Sequence, residues 1–355
     1  MKTRLIKIII LQLILMVGSL YAQINLLEIP HFTRTIRMGN AYTGVADGPE
    51  TIFYNPAGLA YNDYFSFVYS KGLGDAIFAD ALNSNDYAIV LPLPKEFGTI
   101  GLSILSSYYK LNSIRNIYIV TTNTDRVYSL HYARELTKNI GVGASFNLLT
   151  FKIIHYDGME NYSATNFNFG ISILFRIEEN LITENDRLQA GLFLNNILDN
   201  KIEWNTGGES GSSQLFRYGF SYLYNPELFD IKFIKMLFAF DLVASAGSYT
   251  FTNWNPNFGL ELTLVDVLHL SYGRENMDGI RSYGSLQYPV NRFGIGTDLK
   301  LNKIFKSFQD VVLKIDYCRS NWEKFDEENP PFFFGDGIND KIDRDSYSIS
   351  LNVKF

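Results

Sequence analysis

From Tyr64 to the C-terminus, apolar residues recur at every second position. Phe167, Phe169, Ile171, Ile173 and Phe175 fall on one side of an extended chain, and Asn168, Gly170, Ser172 and Arg176 on the other. Phe216, Tyr218, Phe220, Tyr222 and Tyr224 repeat the pattern against Arg217, Gly219 and Ser221. The last segment sets Tyr347, Ile349, Leu351, Val353 and Phe355 against Ser348, Ser350, Asn352 and Lys354. Period two predicts β-strands with two different faces. Fourteen such segments are legible: 64–70, 86–94, 99–109, 124–136, 140–153, 162–176, 187–197, 213–224, 236–244, 255–264, 267–273, 291–301, 311–318 and 345–355. Many approach ten residues, the length of a tilted membrane strand rather than of a soluble one.

A soluble sandwich and a membrane barrel both alternate, so the polar face decides between them. Here it carries Gly101 and Ser103, then Gly141, Gly143, Ser145 and Asn147, then Gly294 and Gly296. Glycine weakens a strand and is useful where contents approach the wall closely. A filled barrel lumen gives that reason. Turns such as Thr137–Asn139 and Val265–Asp266 are short, whereas the connections after odd-numbered segments are longer, as in outer-membrane barrels with both termini in the periplasm. The expected fold is therefore all-β, a 14-stranded antiparallel transmembrane barrel. After the first residues there is no apolar run long enough for a spanning helix.

Lys2, Arg4 and Lys7 precede an apolar stretch from Ile8 to Val17, followed by Gly18, Ser19 and Ala22. This is the layout of a signal peptide at 1–22. Residues 23–62 do not alternate, and 63–355 is expected to form the barrel. Phe355 closes an alternating strand, an ending suited to the barrel-assembly machinery of the bacterial outer membrane.

Composition narrows the function. The chain has 355 residues, is 46% hydrophobic and 19% charged, and carries a net charge of −6. Disorder is excluded by the hydrophobicity, and a nucleic-acid partner is not expected of an acidic chain. Aromatic residues reach 15%, as girdled barrels require. One cysteine leaves no disulfide scaffold. His269 and Ser271 share a strand face, but no third catalytic member is evident, so no enzyme is expected. Gly335–Asp345 is rich in Asp but lacks the spacing of a calcium loop, and neither metal nor cofactor is expected. It lies near Pro330–Phe334, an apolar run in the 319–344 loop.

The segment before the barrel reads Arg37-Met38-Gly39-Asn40-Ala41-Tyr42-Thr43-Gly44-Val45-Ala46-Asp47, then Tyr54-Asn55-Pro56-Ala57-Gly58-Leu59-Ala60. This resembles the N-terminal signature of the FadL superfamily of outer-membrane proteins, and in form its PorV/PorQ-type branch. The resemblance covers about thirty residues and implies an N-terminal hatch inside the lumen. It assigns the hatch motif to Arg37, Gly39, Asp47, Asn55, Pro56, Ala57 and Gly58. Asn55-Pro56 reads either as a turn whose Asn caps a backbone amide or as a ligand contact. Arg37, buried in a lumen, needs a carboxylate partner. The resemblance implies transport of small hydrophobic molecules, fatty-acid-like or aromatic. The branch implies instead a non-transporting adaptor that holds secreted proteins.

Both readings bear on the inner face. Its charges are His131, Glu135, Arg176, Arg217, Asp241, Glu261, His269, Asp298, Lys314 and Asp316. They form either a paired lumen that anchors the hatch or a polar path. Leu105, Leu174, Phe193, Leu223, Leu237 and Val243 are large and apolar, and either pack on the hatch or line a hydrophobic pocket. The outer face expects membrane lipid.

Overall fold

The computed structural model describes residues 21–22, 30–76, 79–111, 121–155, 161–178, 182–183, 185–198, 201–210, 214–226, 233–248, 254–281, 284–302, 310–322 and 343–354. The signal peptide up to Leu20, residues 23–29, most of the 319–344 loop including Pro330–Phe334, and Phe355 lie outside them.

Fourteen strands form the wall. They are β1 (Phe65–Ala76), β2 (Ala79–Pro92), β3 (Thr99–Leu111), β4 (Thr121–Thr137), β5 (Ile140–His155), β6 (Tyr162–Glu178) and β7 (Arg187–Asn195). The rest are β8 (Gln214–Tyr224), β9 (Ile234–Ser248), β10 (Trp254–Leu264), β11 (Leu268–Arg281), β12 (Gly284–Lys300), β13 (Asp310–Trp322) and β14 (Asp343–Lys354). Each pairs antiparallel with the next, and β14 pairs with β1, for example Ile349 opposite Tyr69. The sheet thus closes with no free edge, the condition for a sheet to cross a bilayer. No helix among the described residues is long and apolar enough to cross one.

Alternation becomes a wall with two faces. On β3, Ser103, Leu105 and Ser107 are buried inside, while Leu102 and Ile104 are exposed outside. On β6, Asn166, Asn168 and Ser172 point in, and Phe167, Ile171 and Phe175 point out. An exposed belt of Phe, Tyr, Ile and Leu around a closed barrel is a lipid-facing surface. The chain is an outer-membrane β-barrel.

The strands run further than alternation predicts. Alternation leaves 71–85 and 274–290 as loops, but β1 continues to Ala76, β2 starts at Ala79, β11 continues to Arg281 and β12 starts at Gly284. The backbone ladder persists there although outward positions turn polar at Lys71, Asn85 and Arg274. Backbone hydrogen bonds need no apolar side chain, so a pattern based on apolar residues ends too soon.

Candidate functional site

Residues 30–62 contribute no strand to the wall. They form a short helix α1 (Thr33–Arg37) and two 3-10 turns, Pro49–Phe53 and Pro56–Tyr61. Proline opens both turns, at positions where its missing N–H is not needed. Gly39 has φ +62°, and a Cβ there would lie 2.6 Å from the Phe258 carbonyl oxygen. Left-handed backbone and close approach both demand glycine at that point.

This segment lies inside the barrel. Its backbone rests directly on inward-facing strand glycines. A Cβ on Gly143 of β5 would sit 2.5 Å from the Ala57 nitrogen, and one on Gly219 of β8 would sit 2.5 Å from the Gly44 nitrogen. The glycines on the polar face are therefore contact surfaces for the segment. Around them Phe32, Met38, Tyr42, Val45, Ile52 and Leu59 bury against Val68, Ala88, Leu105, Val127, Leu149 and Leu237, with Leu223 packed at the edge. Leu174 packs with Ala46 and Ala57, and Phe193 is buried at the wall.

Polar contacts fix the segment at two levels. Toward the short-turn end, the Arg37 guanidinium lies 2.7 Å from Glu261 and 3.1 Å from Asp316, joining β10 to β13. Arg34 lies 3.3 Å from the same Glu261 and 2.7 Å from Asp47, which Arg187 of β7 approaches to 3.1 Å. Burial favours the neutral acid at Asp47, but Arg34 and Arg187 outweigh it and hold the carboxyl well below the usual range. At Glu50 the balance is reversed: burial outweighs the attraction of Arg34 and pushes the carboxyl up.

Toward the other end, His31 Nδ1 is 3.1 Å from Asp86 of β2, which also accepts the Phe32 N–H at 3.3 Å. The Tyr54 hydroxyl donates to Asn40 at 2.9 Å, and Asn40 donates to Glu275 of β11 at 2.7 Å. Glu275 pairs with Arg292, which reaches Ser320 on β13. Arg217 of β8 lies over the Tyr54 ring, 4.9 Å from its centre. Between the levels, Asp241 accepts the N–H groups of Tyr42 and Thr43 at 3.0 and 2.9 Å.

The motif residues are placed as follows. Asn55 accepts the Ala57 N–H at 3.2 Å and donates to the Thr43 carbonyl at 2.9 Å and the Ile173 carbonyl at 3.3 Å. Its amide thus joins two parts of the segment to β6. A Cβ on Gly58 would lie 2.7 Å from Thr51 Oγ1. His269 is taken up by Thr263 at 3.0 Å and Asp298 at 3.1 Å, and Asp298 also pairs with Lys314. Cys318 is buried in the wall. No group of three or more His, Cys, Asp or Glu poised for a metal occurs among the described residues.

Several partners escaped the sequence reading: His31, Arg34, Asp86, Arg187, Glu275, Arg292 and Arg344. Parity held the signal for the strand residues. Glu275 continues the inward phase of Gly273 but falls in a stretch expected to be loop, whereas Arg292 continues the phase of Gly294 inside the expected segment 291–301 and was passed over at its start.

No protein-family model and no curated protein matches the chain. Solved structures match its fold. CymD, a monoaromatic hydrocarbon channel, superposes with TM-score 0.52 and 8% identity, covering 91% of this chain and 97% of that one. A Pseudomonas aeruginosa FadL homologue gives TM-score 0.52 and 11% identity over 95% and 99% of the two chains. The Pseudomonas putida toluene transporter TodX gives TM-score 0.52 and 10% identity over 95% and 100%. The barrel has the architecture of these outer-membrane channels.

Proposed function

We propose that this barrel passes small hydrophobic molecules, fatty-acid-like or aromatic, across the outer membrane, with residues 23–62 acting as its hatch. One observation carries the reading. A segment bonded to several sides of the bore adds no strand to the wall, so it can shift without opening the sheet. Its ties are ion pairs and hydrogen bonds that can be exchanged for water. Apolar side chains on both the segment and the wall, such as Phe32, Leu105 and Leu237, would line the space that a shift creates. The architecture it shares with CymD and TodX, channels for monoaromatic hydrocarbons and toluene, supports the same reading. The reading calls for desolvation and passage of the ligand, with no chemistry on it. The test is uptake of labelled toluene and oleate by cells with and without the gene. Uptake several-fold higher in the complemented cells supports transport, and equal uptake refutes it.

A second reading is an adaptor for secreted proteins. It is favoured by the form of the Arg37–Asp47 and Tyr54–Ala60 signature and by the close seating of the segment on Gly143 and Gly219. A surface proteome altered by deletion, with hydrocarbon uptake unchanged, would select it over transport.

A further inference from the structure

On β4–β7 the inner face is rich in uncharged amides. Asn123, Asn147, Asn166, Asn168, Gln189 and Asn195 are all more than nine-tenths buried there. Asn147 and Asn168 are direct cross-strand partners on β5 and β6. The Asn147 amide nitrogen donates to the Asn168 side-chain oxygen and, at 3.2 Å, to that of Asn195. Asn147 Oδ1 and Asn168 Nδ2 are left without a hydrogen-bond partner in the protein, although the two residues are only 2% and 1% exposed. Turning the amides over exchanges the atoms but keeps one spare acceptor beside one spare donor. The hydroxyls of Ser129, cross-strand to Asn147, and of Ser145, next on the same face of β5, are also unpartnered. Buried polar groups in this condition cost stability until something bonds them.

The surroundings of the pair are apolar. One level above, Val127 and Leu149 belong to the cluster that holds Ile52, Phe53 and Leu59 of the segment. One level below, Phe53 meets the His131 ring edge-on, with 5.7 Å between centres. A Cβ on Gly170 would lie 3.0 Å from Phe193 Cε2 and 2.5 Å from Ser145 Oγ, so the Phe193 ring covers the wall beside the pair. The segment thus engages the levels on both sides, and a shift of the segment uncovers the pair together with its aromatic neighbour.

A hydroxyl group both donates and accepts, so it answers Asn147 and Asn168 at once. A plain hydrocarbon leaves both amides unpaired. A carboxylate only accepts and serves the Asn168 donor alone. Arg217, cross-strand to Phe193, is drawn over the Tyr54 ring, and the nearest carboxylate along β4 is Asp125, two levels above Ser129. An aromatic ring suits the Phe193 face. We infer that Asn147 and Asn168 bind the hydroxyl of a phenol between them once the segment shifts, so that the barrel selects phenols over the hydrocarbon or carboxylate with the same ring. This rests on the transport reading and narrows it to one substrate class.

The test compares initial uptake of labelled 4-methylphenol, toluene and 4-methylbenzoate, each at low concentration, by cells carrying the full-length wild type, the N147L/N168L variant or no gene. After subtraction of the gene-free background, wild type should take up the phenol about tenfold faster than toluene, the worth of two neutral hydrogen bonds, and faster than the benzoate by at least the threefold of one. In N147L/N168L the ratio of phenol to toluene should fall to about one, a change of ratio that a merely structural role would not produce. N168L alone serves if the double variant fails to insert, with a ratio between the two. Toluene uptake above background with no preference for the phenol, or a preference that survives N147L/N168L, overturns the inference and leaves transport standing. Benzoate uptake equal to that of the phenol overturns it as well. Uptake of all three compounds at background refutes transport and the inference together.

Discussion

Arg37 offers the most exacting perturbation of the segment. Its guanidinium is 1% exposed and sits between Glu261 and Asp316, which are buried on two different strands. Arg37→Met keeps the bulk and deletes the charge. Two carboxylates then stay inside with less compensation, since Arg34 reaches only Glu261 among them. Removing one partner of a buried pair costs about 3–5 kcal/mol. At tenfold per 1.4 kcal/mol, the segment should open between about a hundredfold and several thousandfold more often. Hydrogen exchange in detergent reads this locally. The amides of Ile36, Met38 and Gly39 should lose protection, while those of β5 and β6 keep theirs. R37M/E261Q/D316N should recover most of the loss, because the stranded charges are gone and Arg34 retains Asp47. Unchanged exchange in R37M would refute the reasoning, as would loss spread evenly over the wall.

The seat of the segment and its charges give further outcomes. Gly219→Val, which drives a side chain into the Gly44 backbone, should expose residues 30–62 to trypsin in the folded barrel, whereas Gly208→Ala, with open space around it, should not. Asp241→Ala removes the acceptor for Tyr42 and Thr43 N–H and should lower segment protection by about 1–3 kcal/mol per buried donor left unpaired, read by the same exchange. Asp47→Asn should loosen the segment at neutral pH. Because the folded carboxyl is held below its ordinary value near about 3.9, the wild-type advantage is complete above that value and fades as pH falls beneath it, so the two proteins should converge in acid.

How much was legible follows from what each signal encodes. Period two reports a two-faced strand, and all fourteen strands were visible because each buries one face in lipid and the other in the bore. Phe167–Phe175 is the clearest case. The signal fails where both faces are polar. The ladder from Arg274 to Arg281 carries no apolar row, so its backbone pairing left no mark in the side chains. The site was legible only in part for a related reason. Inward Glu261 and Asp316 announce themselves by parity, yet nothing local says that Arg37, far back in the chain, falls between them. Likewise Gly143 and Gly219 show that something approaches the wall, without saying that Ala57 and Gly44 do. Asn55 is intermediate: its turn chemistry is local, but its bond to Ile173 belongs to the assembled barrel.

The central claim is that the segment must move for molecules to pass. Thr33 and Ser70 allow a direct test, since their hydroxyl oxygens are 3.0 Å apart across the segment and β1. A Thr33→Cys/Ser70→Cys barrel, oxidised to lock the segment and reconstituted in vesicles, would be assayed for uptake of labelled toluene and oleate. The account expects uptake to stop in the locked protein and return on reduction. Uptake at the wild-type rate with the disulfide intact would contradict it.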